Sequence, residues 1–225
     1  MKSLTQPRQK MHPTLARLPA ALLGLAIALS ASGEAFAGSQ STTTDAFWLW
    51  NPAAIVGDAK LVRTETGVSA RWSSLGLPKG SAVTLWFVVF NNPAECATTP
   101  CGAPDLFNPA VQGDFLLGGG HVIGANGMAN FGGHLSLGDA SGSGHIEIGF
   151  PGLAVGLTNP YGAEVHLLLH SHGPAKTGQM LKSQISSFLG GCTTFLGPDG
   201  FAAGPGDVPD EDGECSTIQA SIHMP

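Results

Sequence analysis

Apolar and polar residues alternate along most of the chain from residue 45 onward, and a period of two places successive side chains on opposite faces of a strand rather than on one stripe of a helix. Residues 47–50 are a short aromatic strand candidate ended by Asn51-Pro52. Residues 60–74 predict a hairpin around Thr66-Gly67, with Val68, Ala70 and Trp72 on one face and Ser69, Arg71 and Ser73 on the other. Residues 82–90 (AVTLWFVVF) break the alternation by being almost wholly apolar. A run so rich in branched and aromatic side chains predicts a central strand covered on both faces, which Asn91-Asn92-Pro93 then stops.

A second hairpin is expected over residues 114–135. Its turn would be Asn126-Gly127, a dipeptide suited to the positive φ angles of tight hairpins. Gly118-Gly119-Gly120 and Gly132-Gly133 inside its arms predict bulges or a close approach of backbones. Further strands are expected at residues 145–150, 163–172 and 217–223, and a helix only at 177–189. The 32 glycines and 16 prolines, about a fifth of the 225 residues, supply the turns between short strands. Eight or nine strands of this kind predict an all-β fold, a single antiparallel β-sandwich or barrel-like domain with long Gly/Pro-rich loops and two disulfides.

The first 37 residues have the layout of a secretory signal peptide. Lys2, Arg8, Lys10 and Arg17 precede an apolar stretch at 18–30, and Ala35-Phe36-Ala37 offers small residues for cleavage after Ala37. Residues 38–44 (GSQSTTT) are expected to be a flexible lead-in to a single domain at 45–225. The expected destination is the periplasm or the extracellular space. Past Ala37, six lysines and arginines face fifteen aspartates and glutamates, a net charge of −9. That balance excludes nucleic acid and anionic membrane surfaces as natural partners, and no apolar run reaches the ~20 residues of a membrane span. A protein or cell-surface partner remains open.

Four cysteines lie in this part: Cys96, Cys101, Cys192 and Cys215. An even number in an oxidising compartment reads as two disulfides. Cys96 with Cys101 is the natural local pair, which leaves Cys192 with Cys215 to close an acidic Gly/Pro-rich segment. The spacing C-x-x-C of a zinc site is absent. Asp210-Glu211-Asp212-Gly213 resembles a fragment of a calcium loop but lacks its alternating oxygen ligands.

One segment carries chemistry. If residues 163–172 are a strand, Glu164, His166, Leu168, His170 and His172 share a face, and Ala163, Val165, Leu167 and Leu169 point to the core. Side chains two apart on one face stand ~7 Å from each other, within reach of one ion. Neutral imidazole suits zinc or copper, so His166, His170 and His172 are candidate ligands, with His134 next and His121, His145 and His223 weaker. The competing role for such histidines is to bond a loop carbonyl with no ion present.

His170-Ser171-His172-Gly173-Pro174-Ala175, followed by Gly178, resembles the H-x-H-G-P-A signature of CHRD (chordin-type) domains. Asn126-Gly127 and Phe131-Gly132-Gly133-His134-Leu135 are similar to the strand leading into it, so the likeness spans about residues 118–179. It implies a secreted β-sheet module with an interaction or structural role, and carries over the pair His170 and His172 and the GPA turn. The cysteines and residues 91–109 lie outside that pattern. Two functions follow: an exported binding or structural module, possessing a metal-binding strand cluster in one version, or a secreted copper- or zinc-dependent redox enzyme. Copper-zinc superoxide dismutases also carry an H-x-H strand but need further histidines downstream, where only His223 remains. A hydrolase ranks last, because no G-x-S-x-G elbow is present.

Overall fold

The computed structural model describes residues 38–225, so the expected signal peptide at 1–37 lies outside the described residues. Among the described residues nine strands form, at Gln40–Trp48 (β1), Asn51–Thr64 (β2), Gly67–Ser74 (β3), Ser81–Phe90 (β4), Gly113–Val122 (β5), Ala129–Ser136 (β6), Glu164–Pro174 (β7), Thr194–Phe195 (β8) and Glu214–His223 (β9). They make one sheet in the order β5-β4-β7-β9-β1-β2-β3-β6, antiparallel except where the short β8 lies parallel to β9. The sheet curls until its two end strands, β5 and β6, meet, so the barrel-like alternative is the one realised and the cylinder is nearly closed.

Glycine lets that seam close. A Cβ on Gly133 of β6 would stand 2.8 Å from the Gly118 Cα of β5 and 2.8 Å from the Phe87 ring, so any side chain there would wedge the edges apart. Gly118 also sits in a β-bulge, where the pairing of β4 with β5 slips between Leu85 and Trp86. The close approach expected from the glycine pairs is therefore present, but the expected hairpin of 114–135 is not a ladder. β5 pairs with β4, and β6 pairs with β3. Closing the cylinder dictates those partners, and the Asn126-Gly127 turn merely joins its two edges.

Three other expectations change. The lead-in at 38–44 is mostly strand, because β1 starts at Gln40 and pairs with β2 from Gln40↔Arg63 onward. Its threonines bond to polar groups of β9: Thr44 Oγ1 lies 2.6 Å from Ser221 Oγ, and Thr42 Oγ1 lies 2.8 Å from His223 Nδ1. Asn51-Pro52 opens β2 rather than ending a strand. Residues 145–150 do not form a strand, since a one-turn helix (α1, Gly144–Glu147) starts there with the Ser143 hydroxyl accepting from the His145 N–H. The expected helix at 177–189 is present as α2, Gly178–Gln184.

The cylinder is filled by inward residues of every long strand, among them Leu61, Trp72, Leu85, Phe87, Leu167 and Leu169. One end is closed by Arg63, which is 1% exposed. Its guanidinium donates to the carbonyls of Pro160 and Ala163 at 2.7 and 2.8 Å, and to those of His223 and Met224 at 3.2 Å. β4 is buried on both faces, as its composition requires. Its outer residues Trp86, Val88 and Phe90 pack into a second apolar cluster with Leu106, Val111 and Phe115. This outer cluster positions the site.

Candidate ligand cavity and its histidines

β7 lies between β4 and β9, and the alternation read from its sequence holds: Val165, Leu167 and Leu169 face the core while His166, Leu168 and His170 face outward. The outward face is nevertheless buried. The disulfide-linked loop before β5, α1, and the segment from α2 to β9 fold over it and leave a cavity of about 750 Å³. Trp86 and Val88 of β4, Leu168 and His170 of β7 and Ala220 of β9 line its floor, and Phe188 and Phe107 are among the covering residues. Among the described residues no lysine or arginine lines it, and the single lining carboxylate residue, Asp199, is exposed.

The histidines divide by environment. His166 Nε2 lies 2.6 Å from Glu164 Oε1, and the same carboxylate oxygen accepts the Cys101 N–H at 2.7 Å, tying the Cys96–Cys101 loop to β7. His172 completes a hydrogen-bonded chain. Trp86 Nε1–H donates to Thr84 Oγ1 at 2.8 Å, Thr84 Oγ1 lies 3.0 Å from His172 Nε2, and His172 Nδ1 lies 2.9 Å from the Gly190 carbonyl. Since a carbonyl only accepts, Nδ1 carries the proton, and in the neutral ring Nε2 can accept from the Thr84 hydroxyl. Burial holds His172 down to about 4, against a smaller upward pull from the Gly190 carbonyl.

His170 is different. It is fully buried, its Nδ1 lies 3.0 Å from Thr217 Oγ1, and its ring stacks on Phe188 at 4.5 Å. Its Nε2 is buried without a hydrogen-bond partner. Burial first, and the neighbouring His172 ring second, keep it well below the ordinary imidazole range. A neutral imidazole with one free nitrogen is thus held in an apolar cavity.

The four histidines expected as metal ligands are not all in one place. His170 and His172 meet edge to face at 4.8 Å. His166 is engaged by Glu164, and His134, exposed on β6, lies 2.9 Å from Ser69 Oγ of β3. His121 packs on Phe131 across the seam, His145 lies near Asp114 and the Leu153 carbonyl, and His223 meets Thr42 and Thr44. Among the described residues two groupings could hold a metal: Cys96, Cys101 and Asp105, and the histidine-bearing set His170, His172, Cys192 and Cys215, in each of which the ligand atoms lie within 4.8 Å of one another. The expected pairings, Cys96–Cys101 and Cys192–Cys215, are both present. A disulfide sulfur is not the thiolate that a zinc or copper site uses, so neither grouping is complete in its oxidised form.

Sequence spacing did not reveal that the second disulfide packs on the H-x-H strand. The available signal was the short span from His172 to Cys192, bridged by a single helix. The acidic turn at 210–213 is organised locally, with Asp210 and Glu211 N–H groups donating to Glu214 Oε2 and Lys176 paired with Asp212. Among the described residues, no helix is long and apolar enough to cross a membrane. No family model, no curated protein and no solved structure matches this chain.

Proposed function

We propose that this chain is an exported binding module that takes an uncharged, mainly apolar small molecule bearing a hydroxyl group, held in the cavity over β4, β7 and β9. The observation that carries this reading is the unpartnered Nε2 of His170, a residue that lines a mainly apolar cavity. A volume of about 750 Å³ suits a drug-sized molecule, and specific sites commonly pair apolar walls with a few placed polar groups. A buried polar atom without a partner is costly, so a ligand that supplies one gains affinity and orientation together.

The chemistry narrows the ligand. Thr217 Oγ1 can donate to His170 Nδ1 or accept from it, so Nε2 can act in either sense. A hydroxyl, which both donates and accepts, fits both cases. An anion would have to enter an apolar space beside a neutral imidazole and near the Glu164 carboxylate, with no lysine or arginine to meet it. The resemblance of residues 170–175 to CHRD modules supports a binding role over a catalytic one, and the two disulfides support an oxidising compartment.

Trp86 lines the cavity and reports on it. Titration of the purified protein with 2-naphthol and with 2-methylnaphthalene, followed by Trp fluorescence, tests the proposal. The naphthol is expected to bind about tenfold more tightly, the worth of one buried hydrogen bond. His170→Phe keeps the stack on Phe188 and is expected to remove that preference. No binding of either compound up to its solubility, or a preference untouched in His170→Phe, would refute the reading.

A further inference from the structure

We infer that reduction of the Cys192–Cys215 disulfide converts the cluster beside it into a tetrahedral site for one zinc ion, held by Cys192, Cys215, His170 and His172. This does not rest on the cavity reading, although both draw on His170. His172 Nδ1 is 3.5 Å from Cys192 Sγ and 3.8 Å from Cys215 Sγ. With Zn–S near 2.3 Å and Zn–N near 2.0–2.1 Å, the N···S edge of a tetrahedron is about 3.5 Å. The ring is therefore already at ligand distance from both sulfurs, and His170 offers a nitrogen within 4.8 Å of the rest.

The surroundings accommodate the change. Ligation through Nδ1 moves the His172 proton to Nε2, which then donates to Thr84 Oγ1. The Thr84 hydroxyl turns to the His170 carbonyl, 3.3 Å away, while still accepting from Trp86 Nε1. Such an outer hydrogen bond orients a ligating imidazole. The Gly190 carbonyl gives up its bond to His172 in exchange. Charge also balances: two thiolates neutralise Zn²⁺, and two neutral imidazoles add nothing, so the site is uncharged where water is excluded.

The reaction needs a dithiol reductant. The dithiol gives two electrons and two protons to the disulfide and becomes a disulfide itself, leaving two thiols on the protein. Zinc binding then displaces the two thiol protons to solvent. In the oxidised state the same sulfurs bond to each other and the site is closed to metal.

The test is differential alkylation of the full chain after reduction by a dithiol, with and without zinc, mapped by mass spectrometry. Zinc is expected to protect Cys192 and Cys215 while Cys96 and Cys101 react at unchanged rates, with stoichiometric zinc retained after desalting. Cobalt in place of zinc should give the thiolate-to-cobalt charge-transfer band of a tetrahedral site. The oxidised protein should retain no metal, and a folded His172→Ala variant should lose retention. Equal labelling of all four thiols with and without zinc, protection of the Cys96/Cys101 pair instead, equal uptake by the oxidised protein, or unfolding on reduction without metal uptake would each overturn the inference.

Discussion

Acid should unfold this protein through two histidines that the fold holds neutral. His172 and His223 are each fully buried, and burial is the main reason that each is lowered from 6.5 to about 4. For His223 the Arg63 guanidinium, and then His166, add to the lowering. The sign follows from proton uptake. Between about pH 6.5 and 4 the unfolded chain binds protons at these rings and the folded chain does not, so stability is complete above 6.5 and falls as pH drops toward 4. At about pH 4.5 each ring costs between 2 and 3 kcal/mol. His223 lies at one end of β7, where it pairs with Val165, while His172 lies seven residues further along that strand. At about 3.3 Å per residue they are about 23 Å apart, beyond the Debye length, so their effects should add to about 5 kcal/mol.

That is a large fraction of the ~5–15 kcal/mol typical of a domain. With a urea slope of about 2 kcal/mol/M, the midpoint should fall by roughly 2 M or more between about pH 7.5 and 4.5. The assay is urea unfolding of the oxidised protein with a chelator present, read by Trp fluorescence. His170 is lowered too and acts in the same direction. Two carboxylates act at lower pH. Asp105 and Asp139 are held below their ordinary value, chiefly by the Ala97 and Ser141 backbone N–H groups, so stability from them is lost only below about pH 4. His223→Gln should roughly halve the loss. Equal midpoints at the two pH values would refute the reasoning.

Three further outcomes rest on the fold. Gly133→Ala should destabilise by about 2–4 kcal/mol because its Cβ meets the Gly118 backbone, whereas Gly132→Ala, with its nearest neighbour at 3.7 Å, should cost under about 1 kcal/mol; equal costs in thermal unfolding would disprove a tight seam. Arg63→Met should cost about 2–4 kcal/mol by removing the donor to four carbonyls, and an unchanged melting temperature would contradict its role in closing the cylinder. Cys192→Ala/Cys215→Ala opens a link across 23 residues and should cost about 3 kcal/mol in urea unfolding, with no change if that loop is held by packing alone.

Much of the sheet was legible because local pattern and burial agree. The run 82–90 is apolar on both faces because both faces of β4 are covered, and 163–172 alternates because β7 separates a core from a second surface. Both disulfides were legible from spacing. The partners of β5 and β6 were not, since closing a cylinder is a non-local event that a favourable turn at Asn126-Gly127 cannot override. Polar Thr42 and Thr44 looked like a loose tail because their partners, Ser221 and His223, lie at the far end of the chain.

The candidate site was half legible. Spacing placed His166, Leu168 and His170 on one face, but an alternating strand normally presents that face to water. Its burial depends on covering loops whose sequences carry no period. The separation of His166 and His134 from the His170–His172 pair follows from the same cause: side-chain partners such as Glu164 and Ser69 are set by strand register, which a single sequence leaves open.

Nitrogen NMR of histidine-labelled protein probes the assigned anchor most directly. On adding 2-naphthol, the His170 Nε2 resonance should move together with the Trp86 indole signal, while His134, out on β6, stays still. Fixed His170 and Trp86 signals at saturating naphthol would contradict the account.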